Sequence, residues 1–195
     1  TSGNENSTIF GVAVNRKISF CSINSNSPVS YPAGVNVSGS CDNPENNFVL
    51  YRNGVVVSGE NGADVVLGAG SYNYTLNVSQ TQNYTNASAS LNVVVNQGVP
   101  AGSLNVAPST SVEYPMQTTV QGSESNFGDG DLNYILFRNN FSVSNPEVAT
   151  LGVGGYHYIY NVSGGTNWTS NFSLAGSDLI VTQNNSYVLN LILSP

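Results

Sequence analysis

The chain has 195 residues, a length of about one to two domains that is sufficient to bury a core. Only 8% of the residues are charged, four Lys and Arg against 11 Asp and Glu, while 39% are hydrophobic and 10% aromatic. Four basic residues cannot form the positive surface that nucleic acid requires, and the aromatic content excludes a disordered polar tract. No apolar run approaches the ~20 residues that a membrane-spanning helix needs.

At the amino end, the chain begins Thr1-Ser2-Gly3, with neither a Met nor the regions of a signal peptide, so we expect either an expression fragment or a mature, processed product. The glycosylation acceptors described below favour the processed product. A polar stretch then leads into a short segment that is apolar on both faces of an extended strand, as suits burial inside a sandwich. We expect residues 1–17 to form an extended arm that leaves its own domain and donates this strand. The alternative is that it forms the first strand of its own domain, because consecutive strands often pair. The donor residues are Ile9, Phe10, Gly11, Val12, Ala13 and Val14.

Cys21 and Cys41 lie 20 residues apart, without a CxxC pair and without a nearby histidine. That arrangement argues against zinc binding and against thioredoxin-type chemistry. We predict a disulfide that joins the ends of two early strands, which indicates an oxidising, extracellular compartment. Two buried reduced thiols are the alternative.

From the cysteines onward, apolar residues recur at every second position, which is the period of a β-strand, and no stretch has a convincing helical period. Asn53-Gly54 between two apolar runs is the strongest short-range hairpin signal. Along 72–78, the even-numbered residues are predicted to point to the core, while Asn73 and Asn77 point outward. The other predicted strands of this part are 35–38, 63–67 and 89–96.

The chain contains an internal repeat, with two copies of the same sequence unit. Tyr31-Pro32 recurs as Tyr114-Pro115, and 67–85 recurs as 151–169 with ten of nineteen positions identical. Asn139-Asn140 takes the place of the first hairpin turn. The strands predicted for the second copy are 118–121, 148–151, 156–162 and 179–183, followed by an additional carboxyl-terminal strand at 187–193.

The repeat divides the chain into two tandem domains. We place the first at residues 18–97 and the second, with the additional strand, at 103–195. The linker at 98–102 is too short to let the domains drift far apart.

About seven short strands per unit is the pattern of an immunoglobulin-like sandwich. The phrase Leu-Gly-x-Gly-x-Tyr-x-Tyr places Tyr72 and Tyr156 where a tyrosine corner ties the penultimate strand to the preceding loop. The repeat, from LGAGSYNYTLNVS to NYTNASASLNVVV, resembles the immunoglobulin-like repeats of archaeal cell-surface glycoproteins, including S-layer-type and extracellular-filament proteins, over 30–97 and 113–183. The resemblance implies an all-β fold of two tandem immunoglobulin-like sandwiches and an extracellular, cell-surface location.

The chain contains eleven Asn-x-Ser/Thr acceptors, more than its composition alone would give. Asn and Ser in turns and on polar strand faces account for some of them. We expect N-linked glycans at most acceptors, and foremost at Asn77, Asn161, Asn83 and Asn167, because attached sugars hydrate a surface that has few charges. The acceptors are Asn6, Asn36, Asn73, Asn77, Asn83, Asn86, Asn140, Asn161, Asn167, Asn171 and Asn184.

The sequence offers little for catalysis. Its one histidine, His157, is predicted to face outward from its strand, and neither a nucleophile elbow nor a phosphate-binding glycine loop is present. We therefore expect no enzyme and no cofactor apart from covalent glycans. Asp129-Gly-Asp131-Leu-Asn133 has the spacing of the start of a calcium loop, but Tyr134 and Asn140 stand where that loop needs Gly and Glu. A plain turn and a weak calcium site are both open.

Three aromatic residues, Tyr84, Tyr114 and Trp168, could form the sugar-stacking platform of a carbohydrate-binding module. However, Tyr84 and Trp168 are the middle residues of acceptor sequences in corresponding loops. We therefore expect these loops to carry sugar rather than to bind it.

The resemblance implies a structural glycoprotein subunit of an archaeal extracellular filament. In donor-strand complementation, an extended segment of one subunit completes a sheet of the next, and head-to-tail joints of this kind generate fibres. The partners would be identical subunits and, beyond the filament, surfaces or other cells. The alternative is an S-layer-associated or adhesive protein in which the domains form a stalk.

Overall fold

The computed structural model of the chain describes residues 11–126 and 130–186, and these residues form an all-β structure, as predicted. Helical structure among them is limited to the 3₁₀ turn Ser58–Glu60. Within the described ranges, no helix is long and apolar enough to cross a membrane. Asn6, Ile9, Phe10, Asp129 and the strand predicted at 187–193 lie outside the described residues.

The strands are numbered here in chain order. The first eight are β1 Cys21–Ser25, β2 Val29–Ser30, β3 Val35–Cys41, β4 Val49–Arg52, β5 Val55–Val56, β6 Asp64–Val65, β7 Gly70–Val78 and β8 Ala87–Asn96. The next eight are β9 Gly102–Ala107, β10 Ser111–Glu113, β11 Thr118–Glu124, β12 Tyr134–Arg138, β13 Phe141–Val143, β14 Glu147–Ala149, β15 Gly154–Val162 and β16 Asn171–Thr182.

The chain divides into two compact units. The first holds the described residues up to Val29 together with Ala33–Val95, and the second holds Ser30–Pro32 and the described residues from Asn96 onward. The predicted linker residues 98–102 are bonded within the second unit, because Gly98 N–H donates to Asn167 O at 2.8 Å and β9 begins at Gly102.

In the first unit, a five-stranded sheet of order β2-β8-β7-β4-β5 accompanies a three-stranded sheet of order β1-β3-β6. Alternation along β7 buries Tyr74, Leu76 and Val78, as the period-two pattern predicts. The β4–β5 hairpin turns at Asn53 and Gly54 with φ of 49° and 82°. Asn and Gly tolerate this left-handed region best, which is why the pair marks a turn whose twist matches the strands.

The second unit repeats this plan with the orders β10-β16-β15-β12-β13 and β14-β11-β9. Its core contains Leu136 of β12, Tyr158 and Tyr160 of β15, and Leu179 of β16. β10 runs parallel to β16, while the other pairs in both sheets are antiparallel.

One glycine in each unit allows the two sheets of that unit to pack closely against each other. A Cβ at Gly122 of β11 would lie 2.5 Å from the Tyr160 ring, and one at Gly39 of β3 would lie 2.9 Å from the Leu76 side chain. In both units the glycine belongs to the three-stranded sheet and the large side chain to the five-stranded sheet. Any larger residue would force the layers apart.

The predicted tyrosine corners are present in both units. Tyr72 donates its hydroxyl to Gly68 O at 2.8 Å, and Tyr156 donates to Gly152 O at 2.9 Å. Each bond ties the start of a central strand to the loop before it.

Several strands differ from the sequence-based expectation. β9 and β10 have no counterpart among the predicted strands, and β6 is only two residues long. β16 covers Asn171–Thr182 rather than 179–183. Its pairing with β15 shifts register between Tyr160 and Val162, and this irregularity hides the period-two pattern in its first half.

Cys21 and Cys41 form the predicted disulfide and lie opposite each other in the β1–β3 pair. At the matching pair of the second unit, Gly102 lies opposite Glu124, so that unit has no such crosslink. The covalent constraint therefore belongs to the first unit alone.

We expect replacement of both cysteines by serine to lower the unfolding free energy of the first unit by about 3 kcal/mol, because an open chain has more unfolded conformations. Differential scanning calorimetry checks this. The transition of the second unit should stay in place, and an equal shift of both transitions would contradict a local crosslink.

Candidate assembly segment and glycosylation sites

The most buried ionic cluster of the second unit joins its two sheets. Arg138 Nη1 of β12 donates to Glu147 Oε1 of β14 at 2.6 Å, and Tyr158 Oη of β15 donates to Glu147 Oε2, also at 2.6 Å. Glu147 is 9% exposed and Tyr158 is fully buried. Burial, and then the bond to Glu147, raise the pKa of the Tyr158 hydroxyl above its ordinary 10.0. The protonated phenol therefore stabilises the fold at neutral pH, and this contribution is lost in strong alkali.

The first unit contains the same cluster. Arg52 Nη1 donates to Glu60 Oε1 at 2.6 Å, and Tyr74 Oη donates to Glu60 Oε2 at 2.8 Å. Burial is the main cause that raises the pKa of Tyr74. Because each carboxylate has both oxygens paired with side chains of its own unit, we assign these clusters to stability. The sequence analysis missed them, although the recurrence of Arg52 as Arg138 in the aligned repeat was a usable signal.

His157 lies on the exposed face of β15, as the alternation predicts. Its Nδ1 lies 2.6 Å from Oδ1 of Asp178 on β16, and both side chains are more than half exposed. A contact between two exposed side chains on a sheet face contributes little to stability.

The calcium-loop candidates do not assemble a ligand set among the described residues. Oδ2 of Asp131 accepts from the backbone N–H and the hydroxyl of Thr166, at 2.9 and 2.8 Å. The backbone N–H of Asn133 donates to the Ser163 hydroxyl at 3.3 Å. In the part of the chain that the structure describes, no three His, Cys, Asp or Glu residues are grouped as metal ligands.

The three candidate stacking residues occupy different environments. Trp168 is 6% exposed and packs edge-on against Tyr31 with the ring centroids 5.2 Å apart. Tyr84 is half-buried under the ammonium group of Lys17, 5.3 Å from its ring centroid. Tyr114 is 44% exposed. Because Trp168 is buried, its ring is not available as a stacking surface for a sugar.

The amino-terminal segment is exposed where it is described. Val12 and Val14 are 84% and 87% exposed, and Gly11–Val14 is not part of a strand. Two further apolar residues, Ile18 and Phe20, are 63% and 69% exposed. The described part of this segment therefore presents large apolar side chains to water.

The segment is anchored to the first unit just after these valines. Lys17 N–H donates to Asn83 O at 2.7 Å, and Thr85 N–H donates to Lys17 O at 2.9 Å. Ser19 adds bonds to the hydroxyl and carbonyl of Thr85, at 3.0 and 2.7 Å. Residues 17–19 are therefore fixed by the loop that carries the acceptor Asn83.

The second unit has the same anchor at Gly98. Its N–H donates to Asn167 O at 2.8 Å, and its carbonyl accepts from Thr169 N–H at 2.9 Å. The chain that reaches Gly98 comes directly from the end of β8. Lys17 and Gly98 are thus equivalent positions in the two units.

The described acceptors differ in exposure. Five are exposed, namely Asn73, Asn77, Asn83, Asn86 and Asn140. Five are half-buried, namely Asn36, Asn161, Asn167, Asn171 and Asn184.

The amide nitrogen of an acceptor must also be free to carry sugar. Nδ2 of Asn83 donates to Glu45 Oε1 at 2.6 Å, which leaves one hydrogen to be replaced. Nδ2 of Asn36 instead donates both to Asp64 Oδ1 at 2.9 Å and to Gly62 O at 3.2 Å. A glycosylated amide keeps a single N–H, so sugar at Asn36 would break one of these bonds.

A scan with models of protein families finds no match to this chain, and a search of curated proteins finds no relative.

We expect Glu147→Ala to lower the unfolding free energy by about 2 kcal/mol, because Arg138 and Tyr158 lose the acceptor that they share. Urea denaturation measures this loss. Glu113→Ala, which removes an exposed carboxylate of β10, is the matched control and should change stability little. Equal losses of unfolding free energy in the two variants would contradict a stabilising role of the Glu147 cluster.

We expect glycopeptide mapping of protein from its native source to find Asn77, Asn83, Asn161 and Asn167 modified and Asn36 unmodified. The reason is that both hydrogens of the Asn36 amide are engaged in the folded unit. Full occupancy at Asn36 would contradict this reasoning, and the bare polypeptide mass in intact-mass analysis would contradict glycosylation altogether.

Proposed function

We propose that this protein is a structural glycoprotein subunit of an extracellular filament of the archaeal cell-surface type, built from two immunoglobulin-like sandwiches and without enzymatic activity. Its amino-terminal segment, Ile9–Val14, acts as a donor strand that completes an open sheet edge in the next copy. The observation that carries this proposal is the exposed apolar stretch Gly11–Val14, which belongs to no strand among the described residues.

The immunoglobulin-like part is supported by strand order and by the corners. Each unit pairs a five-stranded sheet with a three-stranded one, and the short strand β10 runs parallel to β16, the last of the described strands. The hydroxyls of Tyr72 and Tyr156 close the corner that marks the penultimate strand in this architecture.

The donor role is supported by a match between the segment and β8. Val12-Ala13-Val14-Asn15 stands two residues before the anchor Lys17, and Val93-Val94-Val95-Asn96 stands two residues before the equivalent anchor Gly98. In β8, Val93 and Val95 are buried against their own unit. The segment therefore has the side-chain pattern of the last strand of such a unit, yet its valines are exposed, as a donor requires.

An extracellular location is supported by the disulfide and by the acceptor sites. A disulfide persists in oxidising compartments, and N-linked acceptors are used on secreted chains. Glycans would also keep soluble a chain with a low content of charge.

The same match favours a second candidate function. In an S-layer-associated or adhesive stalk, residues 9–15 would be the last strand of a preceding domain of the same polypeptide. The two functions differ in whether the strand is donated between molecules.

The test is deletion of residues 1–14. We expect a folded monomer that cannot polymerise, because the anchor at Lys17 and Ser19 is retained while the donor strand is removed. Negative-stain microscopy and size-exclusion chromatography measure assembly, and circular dichroism measures the fold. Filaments of normal appearance from the truncated protein would overturn the donor assignment.

A point-variant version uses a matched control. Val12→Ser with Val14→Ser should abolish polymerisation, whereas Val99→Ser, which changes a valine that is 76% exposed elsewhere, should not. A wild-type protein that remains monomeric at high concentration would favour the stalk function.

A further inference from the structure

The outer face of the five-stranded sheet in the second unit carries a group of three apolar side chains beside the polar pair His157 and Asp178. Alternate residues of β12 and β15 are buried in the core, which directs Ile135, Phe137 and Ile159 to the opposite face. Ile159 lies opposite Phe137 on one side and opposite Gly176 on the other, so no large side chain of β16 shields it. All three side chains are half-buried, so part of this apolar surface remains open to a cover.

The matching face of the first unit is more polar. Thr75 takes the place of Ile159, and Tyr51, with its hydroxyl, takes the place of Phe137. The hydroxyl of Thr75 lies 3.1 Å from that of Ser90 on the neighbouring strand. The apolar face is therefore a property of the second copy and is not demanded by the shared fold.

A glycosylation acceptor stands at the border of this apolar face. Asn161 points to the same side of β15 as Ile159 and lies directly opposite Ile135 of β12. Residues opposite each other in such pairs have Cβ atoms about 5 Å apart, and diagonal neighbours such as Phe137 are about 7–8 Å away. Oδ1 of Asn161 is buried without a hydrogen-bond partner among the described residues. A sugar on the amide of Asn161 would start within reach of all three apolar side chains.

We propose that an N-linked glycan on Asn161 is the cover of this face, with its first sugars lying over Ile135, Phe137 and Ile159. A pyranose ring has C–H bonds on one face and hydroxyls around its rim, so it removes apolar surface from water while its rim stays hydrated. This inference rests on the glycoprotein part of the proposed function and adds a structural role for one particular glycan.

The test compares two variants of the glycosylated, full-length protein, each of which removes one acceptor. Asn161→Gln should raise the fluorescence of the apolar dye ANS and lower the melting temperature of the second unit by about 4 °C. Asn86→Gln, at an exposed acceptor of the first unit, should change neither quantity. Adding Ile159→Thr to Asn161→Gln should reduce the dye fluorescence again. Threonine is the residue at the equivalent position of the first unit, Thr75, and it makes the face less apolar.

Glycopeptide mapping of the same samples separates the ways in which the inference could fail. An unmodified Asn161 beside other, occupied acceptors would overturn the inference and leave the proposed function intact. Unchanged dye fluorescence in Asn161→Gln, together with loss of self-association in Ile159→Thr, would assign the face to a second copy instead. A protein without sugar at any acceptor would overturn this inference and the glycoprotein part of the proposed function, while the truncation experiment tests the filament part independently.

Discussion

In each unit, the fold depends on one carboxylate that fixes charged and polar groups from separate strands. Glu147 binds Arg138 and Tyr158, and so joins the three-stranded sheet to the five-stranded sheet. A buried carboxylate stabilises a fold only when its oxygens are paired, and here both are. In a chain with only four basic residues, the two arginines that face the cores are both used in this way. Each interior thus contains one paired carboxylate in a fixed position. Most other polar groups of the chain are uncharged amides and hydroxyls.

Low charge has consequences for how such a chain behaves in water. Surface charge usually keeps domains soluble and blocks association of sheet edges. A chain with so few charged residues has little of either protection. Covalent sugar at exposed acceptors would supply the missing hydration. Donation of the amino-terminal strand to the next copy would bury an apolar segment that few charges surround. The proposed glycan and donor strand are therefore two responses to the same composition.

The two copies share a core and differ at the surface. Tyrosine corners, hairpin turns and carboxylate clusters recur with the same partners. The first unit alone has the disulfide, and the second alone has the apolar outer face around Ile159. Packing restricts the buried positions in both units, whereas exposed positions are free to diverge.

The sequence alone predicted the all-β class, the central strands with Tyr74 and Tyr158, the hairpin turns and the Cys21–Cys41 pair, because period-two burial, turn residues and paired cysteines are local signals. It did not predict β10, which has three residues, or the first half of β16, where a register shift breaks the alternation. It also missed β9, although Leu104 and Val106 alternate there with exposed residues, which was a usable signal. The carboxylate clusters and the two engaged hydrogens of the Asn36 amide were likewise decided only by the tertiary structure. They join residues that lie on different strands and in turns between strands, and only the tertiary structure brings their atoms within hydrogen-bond distance.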